Sequence, residues 1–132
     1  MAPKLSLGID HVHVYVRSRS EAAAWYAEVL GMRRSAAYSA WAEDPDGPLT
    51  IQNEAGNVHL ALFETAEGTT DVIAFGATGA EFLAWQTHLG RHGLELRIVD
   101  HELAFSLYFD DPDGNTHEIT TYDVEQIRQR AE

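Results

Sequence analysis

Glu118 and the histidines His11, His13, His59 and His101 are the residues whose type and spacing could do chemistry. Glu118 sits in THEITTY, a β-branched run that follows the turn-dense stretch DPDGN. Its alternation predicts a strand over 116–122, with Glu118, Thr120 and Tyr122 on one face and His117, Ile119 and Thr121 on the other. A carboxylate in such a strand is rare in a half-buried place unless it is paired or holds a metal. In IDHVHVYV, His11, His13 and Tyr15 share one face opposite Val12, Val14 and Val16. In NVHLALFE, His59, Ala61 and Phe63 lie opposite Val58, Leu60 and Leu62. If the Val and Leu faces pack on helices, the opposite faces gather His11, His13, Tyr15, His59, Phe63, Ser106, Tyr108, Glu118, Thr120 and Tyr122. Polar groups among aromatic walls are what a small-molecule pocket looks like. Imidazoles such as His13 and His101, or the Tyr108 hydroxyl, could move protons there, because histidine titrates at roughly 6.5.

The elements that must position these residues follow in order. After the first strand, Ser18 and Glu21 fit a capping box, and a helix through EAAAWYAEVL stops at Gly31. The next segment, to Trp41, reads as one strand, then a loop over 43–48 and a short strand over 49–53. A turn over 54–57 leads to the strand carrying His59. The pattern then restarts with a strand over 71–76, a second box at Thr78 and Glu81, and a helix ending near Gly93. Strands follow over 94–99 and 105–109. Ser18 and Thr78, Glu21 and Glu81, and Trp25 and Trp85 share one offset of 60 residues. A shared offset for cap, box partner and tryptophan predicts two copies of a βαβββ unit, with helices on one face of each sheet. Trp25 and Trp85 are expected in the core, His117 on the helix side of its strand, and His88 and His92 at the surface. Asp44-Pro45-Asp46-Gly47 reads as a turn only. The last ten residues read as a short polar helix capped by Asp123.

Nine Lys plus Arg stand against 21 Asp plus Glu in 132 residues, a net charge of −12. That balance argues against nucleic acid and anionic membranes as partners, since both require a basic face. There is no cysteine, so neither disulfides nor thiolate chemistry is available. With no apolar run long enough for a signal peptide or a membrane span, a soluble cytoplasmic protein is expected.

Two motifs resemble the vicinal oxygen chelate superfamily, which includes glyoxalase I, bleomycin-resistance proteins, fosfomycin-resistance transferases, methylmalonyl-CoA epimerase and extradiol dioxygenases. DHVHVYV…AAAWYAEVLGM is similar to the family's H-V-x-x-x-V…F-Y-x-x-x-L-G, and YFDDPDGNTHEITTY to its Y-F-x-D-P-D-G-N-x-x-E. The resemblance spans about residues 8–123, as a module over 8–64 and a second over 70–123, with 124–132 as a tail. It implies an α+β fold of two βαβββ modules forming a curved, cup-shaped mixed sheet with helices outside. It also implies a homodimer and a divalent transition metal (Fe, Ni, Zn, Mn or Co) held by His11, His59 and Glu118. The family's remaining ligand, a histidine, falls on Asp71 by the 60-residue offset or on Val72 by a one-residue shift, and there this sequence departs from the pattern. His101 and Tyr108 resemble the acid/base and substrate-positioning residues of extradiol enzymes. His13, Tyr15, Phe63 and Tyr122 would then contact substrate. The expected activity is lyase or isomerase chemistry, or oxygen-dependent ring cleavage, on a small substrate with vicinal oxygens. The contrasting expectation is a metal-free binding protein of the bleomycin-resistance type.

Overall fold

Val12–Val16 alternates apolar and polar side chains, and it forms strand β1 with Val14 and Val16 buried. The computed structural model describes residues 9–67 and 72–131 and divides into two units, Met1–Thr69 and Thr70–Glu132. In the first unit, β1 is followed by α1 (Arg19–Leu30), β2 (Arg33–Arg34), a 3₁₀ segment (Ala36–Glu43), β3 (Leu49–Gln52) and β4 (His59–Glu64). The Ser18 hydroxyl accepts from the Glu21 amide and starts α1, and Gly31 ends it at φ 70°. Ala22, Ala23, Tyr26 and Val29 form the buried stripe of α1. They share the core with Met32, Ile51, Leu60 and Leu62. The sheet order is β1-β4-β3-β2, with β1 parallel to β4 and the other pairs antiparallel.

The second unit repeats this plan with β5 (Ile73–Gly76), α2 (Gly79–Arg91), β6 (Arg97–Asp100), β7 (Phe105–Asp110) and β8 (Thr116–Thr121). Its order, β5-β8-β7-β6, again has a parallel first pair and antiparallel others. The α2 box is complete. Thr78 Oγ1 accepts from the Glu81 amide at 3.2 Å, and Glu81 accepts from the Thr78 amide at 2.7 Å. Those bonds hold the Glu81 carboxyl below its ordinary value. Phe82 and Leu89 of α2 are buried with Leu107, Phe109, His117 and Ile119. Two βαβββ modules of α+β type, each with an open mixed sheet, agree with the repeat predicted from the 60-residue offset. Among the described residues no helix is long and apolar enough to cross a membrane.

Several local expectations need correction. The stretch to Trp41 is not one strand: β2 spans only Arg33–Arg34, and Ala36–Glu43 winds as a 3₁₀ segment packed on β3. Trp25 and Trp85 are half-buried, and the fully buried helix aromatics are Tyr26 and Phe82. The repeat offset matched the tryptophans to each other but not to the residue that fills each core. β8 ends at Thr121, leaving Tyr122 78% exposed beyond the sheet. Asp123 immediately precedes α3 (Val124–Ala131), and its carbonyl accepts from the Ile127 amide at 3.4 Å. Its carboxylate accepts from the Gly79 amide at 2.7 Å, at the start of α2, and Ile127 is buried.

Candidate functional site

In the first unit, the β1–β4 register sets His13 beside Ala61 and Tyr15 beside Phe63. Continued by one residue, it sets His11 beside His59. Paired residues of a parallel ladder point to one face, so His11, His13, Tyr15, His59 and Phe63 share the face opposite the core. His13 and Phe63 rings lie 4.7 Å apart, and Tyr15 and Phe63 rings 6.3 Å apart. The Asp10 carboxylate lies 2.8 Å from His11 Nδ1. With Nδ1–H donated to Asp10, the Nε2 atom of neutral His11 carries the lone pair, which is the arrangement a ligating histidine uses. His13 Nε2 stands 3.2 Å from that atom, within hydrogen-bond distance. His59 is half-buried, and Tyr38 of the 3₁₀ segment meets its ring edge-on at 5.8 Å.

In the second unit, β8 pairs Glu118 with Tyr108 and Thr120 with Ser106. Glu118, Thr120, Ser106 and Tyr108 therefore share the face opposite Phe109, His117 and Ile119. Ser106 is buried and donates its hydroxyl to Glu118 Oε2 at 2.6 Å. That bond fixes one carboxylate oxygen and leaves Oε1 for another partner. His101 Nε2 and the Tyr108 hydroxyl are 3.2 Å apart, and the Arg97 guanidinium lies 5.9 Å over the Tyr108 ring. His101 is held by a tight loop in which its amide donates to the Ala104 carbonyl at 2.8 Å. His117 is fully buried between Phe75 and Phe109, and burial pushes its pKa below the ordinary value while the charges of Asp111 and Asp110 oppose that.

The structure thus brings His11 to His13 and His101 to Tyr108, and it gives Glu118 a hydroxyl partner. Tyr122 joins none of them. Asp71 lies outside the described residues. Among the described residues no three His, Asp or Glu side chains are drawn together as a ready metal cage. Sequence reasoning passed over Tyr38 and Trp41, whose rings stack at 5.0 Å, and over Asp10. Asp10 was findable, since an acid directly before a candidate ligand is a simple orienting partner. Tyr38 was hidden by the strand expected there.

The family model for the glyoxalase/bleomycin resistance protein/dioxygenase superfamily matches residues 8–119. The chain belongs to that superfamily. Solved structures with the same fold include a protein assigned to the glyoxalase family from Bacillus anthracis, with 22% identity, a TM-score of 0.75, and coverage of 92% of this chain and 99% of that one. A lactoylglutathione lyase from Agrobacterium tumefaciens shares 19% identity at a TM-score of 0.72, over 92% of this chain and 98% of its own. The fosfomycin resistance protein FosX from Mesorhizobium loti shares 24% at a TM-score of 0.61, over 86% and 91%. No curated protein matches in sequence. Superfamily members generally take small-molecule substrates and divalent metals, and they often form dimers.

Proposed function

We propose that this superfamily member is a metal-dependent enzyme acting on a small substrate with vicinal oxygens, with His11, His59 and Glu118 as its protein ligands. The observation that carries the reading is the Asp10–His11 pair, which presents His11 Nε2 on the same sheet face as His59. Two imidazoles and a carboxylate form a donor set suited to Fe(II), Mn(II), Co(II), Ni(II) or Zn(II). Ser106 supports the third donor by occupying Glu118 Oε2. A divalent metal bound there would supply Lewis acidity toward two neighbouring substrate oxygens.

The chain's own groups do the rest. His101 and Tyr108, in contact through Nε2 and the hydroxyl, form a proton-transfer pair, with the Arg97 guanidinium over the Tyr108 ring. His13, Tyr15 and Phe63 supply substrate walls. Lyase or isomerase chemistry needs only such proton movement, whereas ring cleavage also needs dioxygen, so the metal identity directs the assay. The test is elemental analysis of wild type beside His59→Ala and Glu118→Ala. The expected result is near-stoichiometric metal in wild type, lost in both variants. No metal in wild type, even after loading with Fe(II), Ni(II) and Zn(II), overturns the proposal. The exposed Tyr38–Trp41 stack favours, as the second reading, a metal-free binder of flat ligands.

A further inference from the structure

We propose that Tyr38 and Trp41 form a fixed aromatic platform that selects ligands carrying a planar ring, and that Arg19 is the residue positioning it. The proposal rests on the metal-site reading only for where the ligand's oxygens go, toward His59. The two rings stack with centroids 5.0 Å apart and planes 12° from parallel. Tyr38 also meets the His59 ring edge-on at 83°, so the platform begins one ring contact from a candidate ligand. Tyr38 covers one side of Trp41, yet Trp41 stays 55% exposed. A flat ring laid on the open side of Trp41 continues the stack. A saturated ligand fills the same space without the ring–ring term.

Single exposed aromatics are common and mean little. The anchoring of this one is the distinguishing observation. Arg19, at the start of α1, donates from its guanidinium to the carbonyls of Ala42 at 2.9 Å, Asp44 at 3.1 Å and Gly47 at 2.6 Å. Its backbone amide donates to Glu64 Oε1 at 2.9 Å, which ties the clamp to the end of β4. Gly47 lets the chain double back, since a Cβ there would lie 2.5 Å from the Trp41 carbonyl oxygen. One planar fork therefore gathers three carbonyls from the chain just after Trp41, a task a lysine ammonium performs less well. A platform held before the ligand arrives spares the ligand the cost of ordering it.

The test uses two probes with one chelating group, benzohydroxamic acid and acetohydroxamic acid, titrated calorimetrically into the Zn(II)-loaded chain. The affinity margin for the ring-bearing probe is expected to shrink by about 2- to 10-fold in Trp41→Ala. Arg19→Lys should shrink it part-way, with zinc content and acetohydroxamate affinity unchanged, which a merely unfolded or loosened protein would not show. An unchanged margin in Trp41→Ala overturns the platform and leaves the metal reading standing. If wild type takes up no zinc, the metal reading falls. The platform is then tested with N-phenyl-1-naphthylamine on the metal-free chain. Weaker binding in Trp41→Ala sustains the platform, and equal binding overturns it.

Discussion

Replacing Asp111 by Ala should unfold the β7–β8 connection at a cost that can be worked from its hydrogen bonds. Asp111 is 5% exposed. Its Oδ1 accepts from the amides of Asp113 at 2.9 Å and Asn115 at 2.8 Å, and its Oδ2 accepts from Asn115 Nδ2 at 2.9 Å. The Asp113 amide is half-buried and water can replace its acceptor. Both Asn115 donors belong to a residue 1% exposed, and losing an acceptor in such a place costs about 1–3 kcal/mol each. Asp111→Ala is therefore expected to cost roughly 3–4 kcal/mol, more than any exposed-turn substitution. For a chain of this size that lowers Tm by roughly 10–15 °C. Asp111→Asn keeps an acceptor for the two amides but sets one amide donor against the Asn115 amide, so its loss should be smaller. Urea unfolding gives both values, with the midpoint moving and the slope unchanged. The turn also sets the register that pairs Tyr108 with Glu118, and a slip of one residue would send Glu118 to the helix side. Metal affinity should fall in the same variant below its melting range. A loss in Asp111→Ala under about 1 kcal/mol, or an equal loss in Asp111→Asn, would refute this account of the turn.

Other outcomes follow from the same contacts. Burial lowers the pKa of His117 in the fold, so an unfolded chain, with His117 near its ordinary 6.5, binds a proton first as pH falls. Stability of the metal-free protein should be full above that value and decline below it, by at most about 1.4 kcal/mol per pH unit until the folded pKa is passed; His117→Leu should flatten this part of the urea-midpoint profile. Asp10→Asn should weaken metal binding by roughly 10- to 100-fold in competition titrations with a chelator, with little change in Tm. Ser106→Ala should act in the same direction through Glu118. His13→Phe should tighten metal binding by roughly 2- to 10-fold, because the contact between His13 and His11 Nε2 that a metal must displace is removed. Weaker binding in that variant would instead make His13 a ligand.

Strand phases were legible because alternation is local. Val14 and Val16 are buried while His13 and Tyr15 are exposed, as the spacing of IDHVHVYV predicts. The two capping motifs were legible for the same reason, since each is set within four residues. The conformation of 35–43 was not. AAYSAWAE carries helix-favouring alanines beside aromatics, and what decides it is Arg19, a residue far along the chain that gathers the carbonyls of Ala42, Asp44 and Gly47. Tyr122 failed in the opposite way. Its alternation with Glu118 and Thr120 was correct for a strand, but the chain must leave β8 for Asp123 to reach the Gly79 amide.

The two modules share a topology and differ in what their open faces carry, and this difference bears on mechanism. The first presents imidazoles and aromatic rings: His11, His13 and His59, with Tyr15 and Phe63. The second presents oxygen donors, with Ser106 on Glu118 and Tyr108 beside His101. A duplicated unit has the same backbone twice, so nothing in the fold requires the faces to diverge. Most helix-side positions are apolar in both, at Val14, Leu60 and Leu62 and at Leu107, Phe109 and Ile119, with His117 and Thr121 as buried polar exceptions, because burial constrains them. The opposite positions are free of that constraint, and the two modules carry different chemical groups there. Metal lost in both His59→Ala and Glu118→Ala is the outcome expected of the proposed ligand set, whereas metal retained in Glu118→Ala would assign binding to the first module alone.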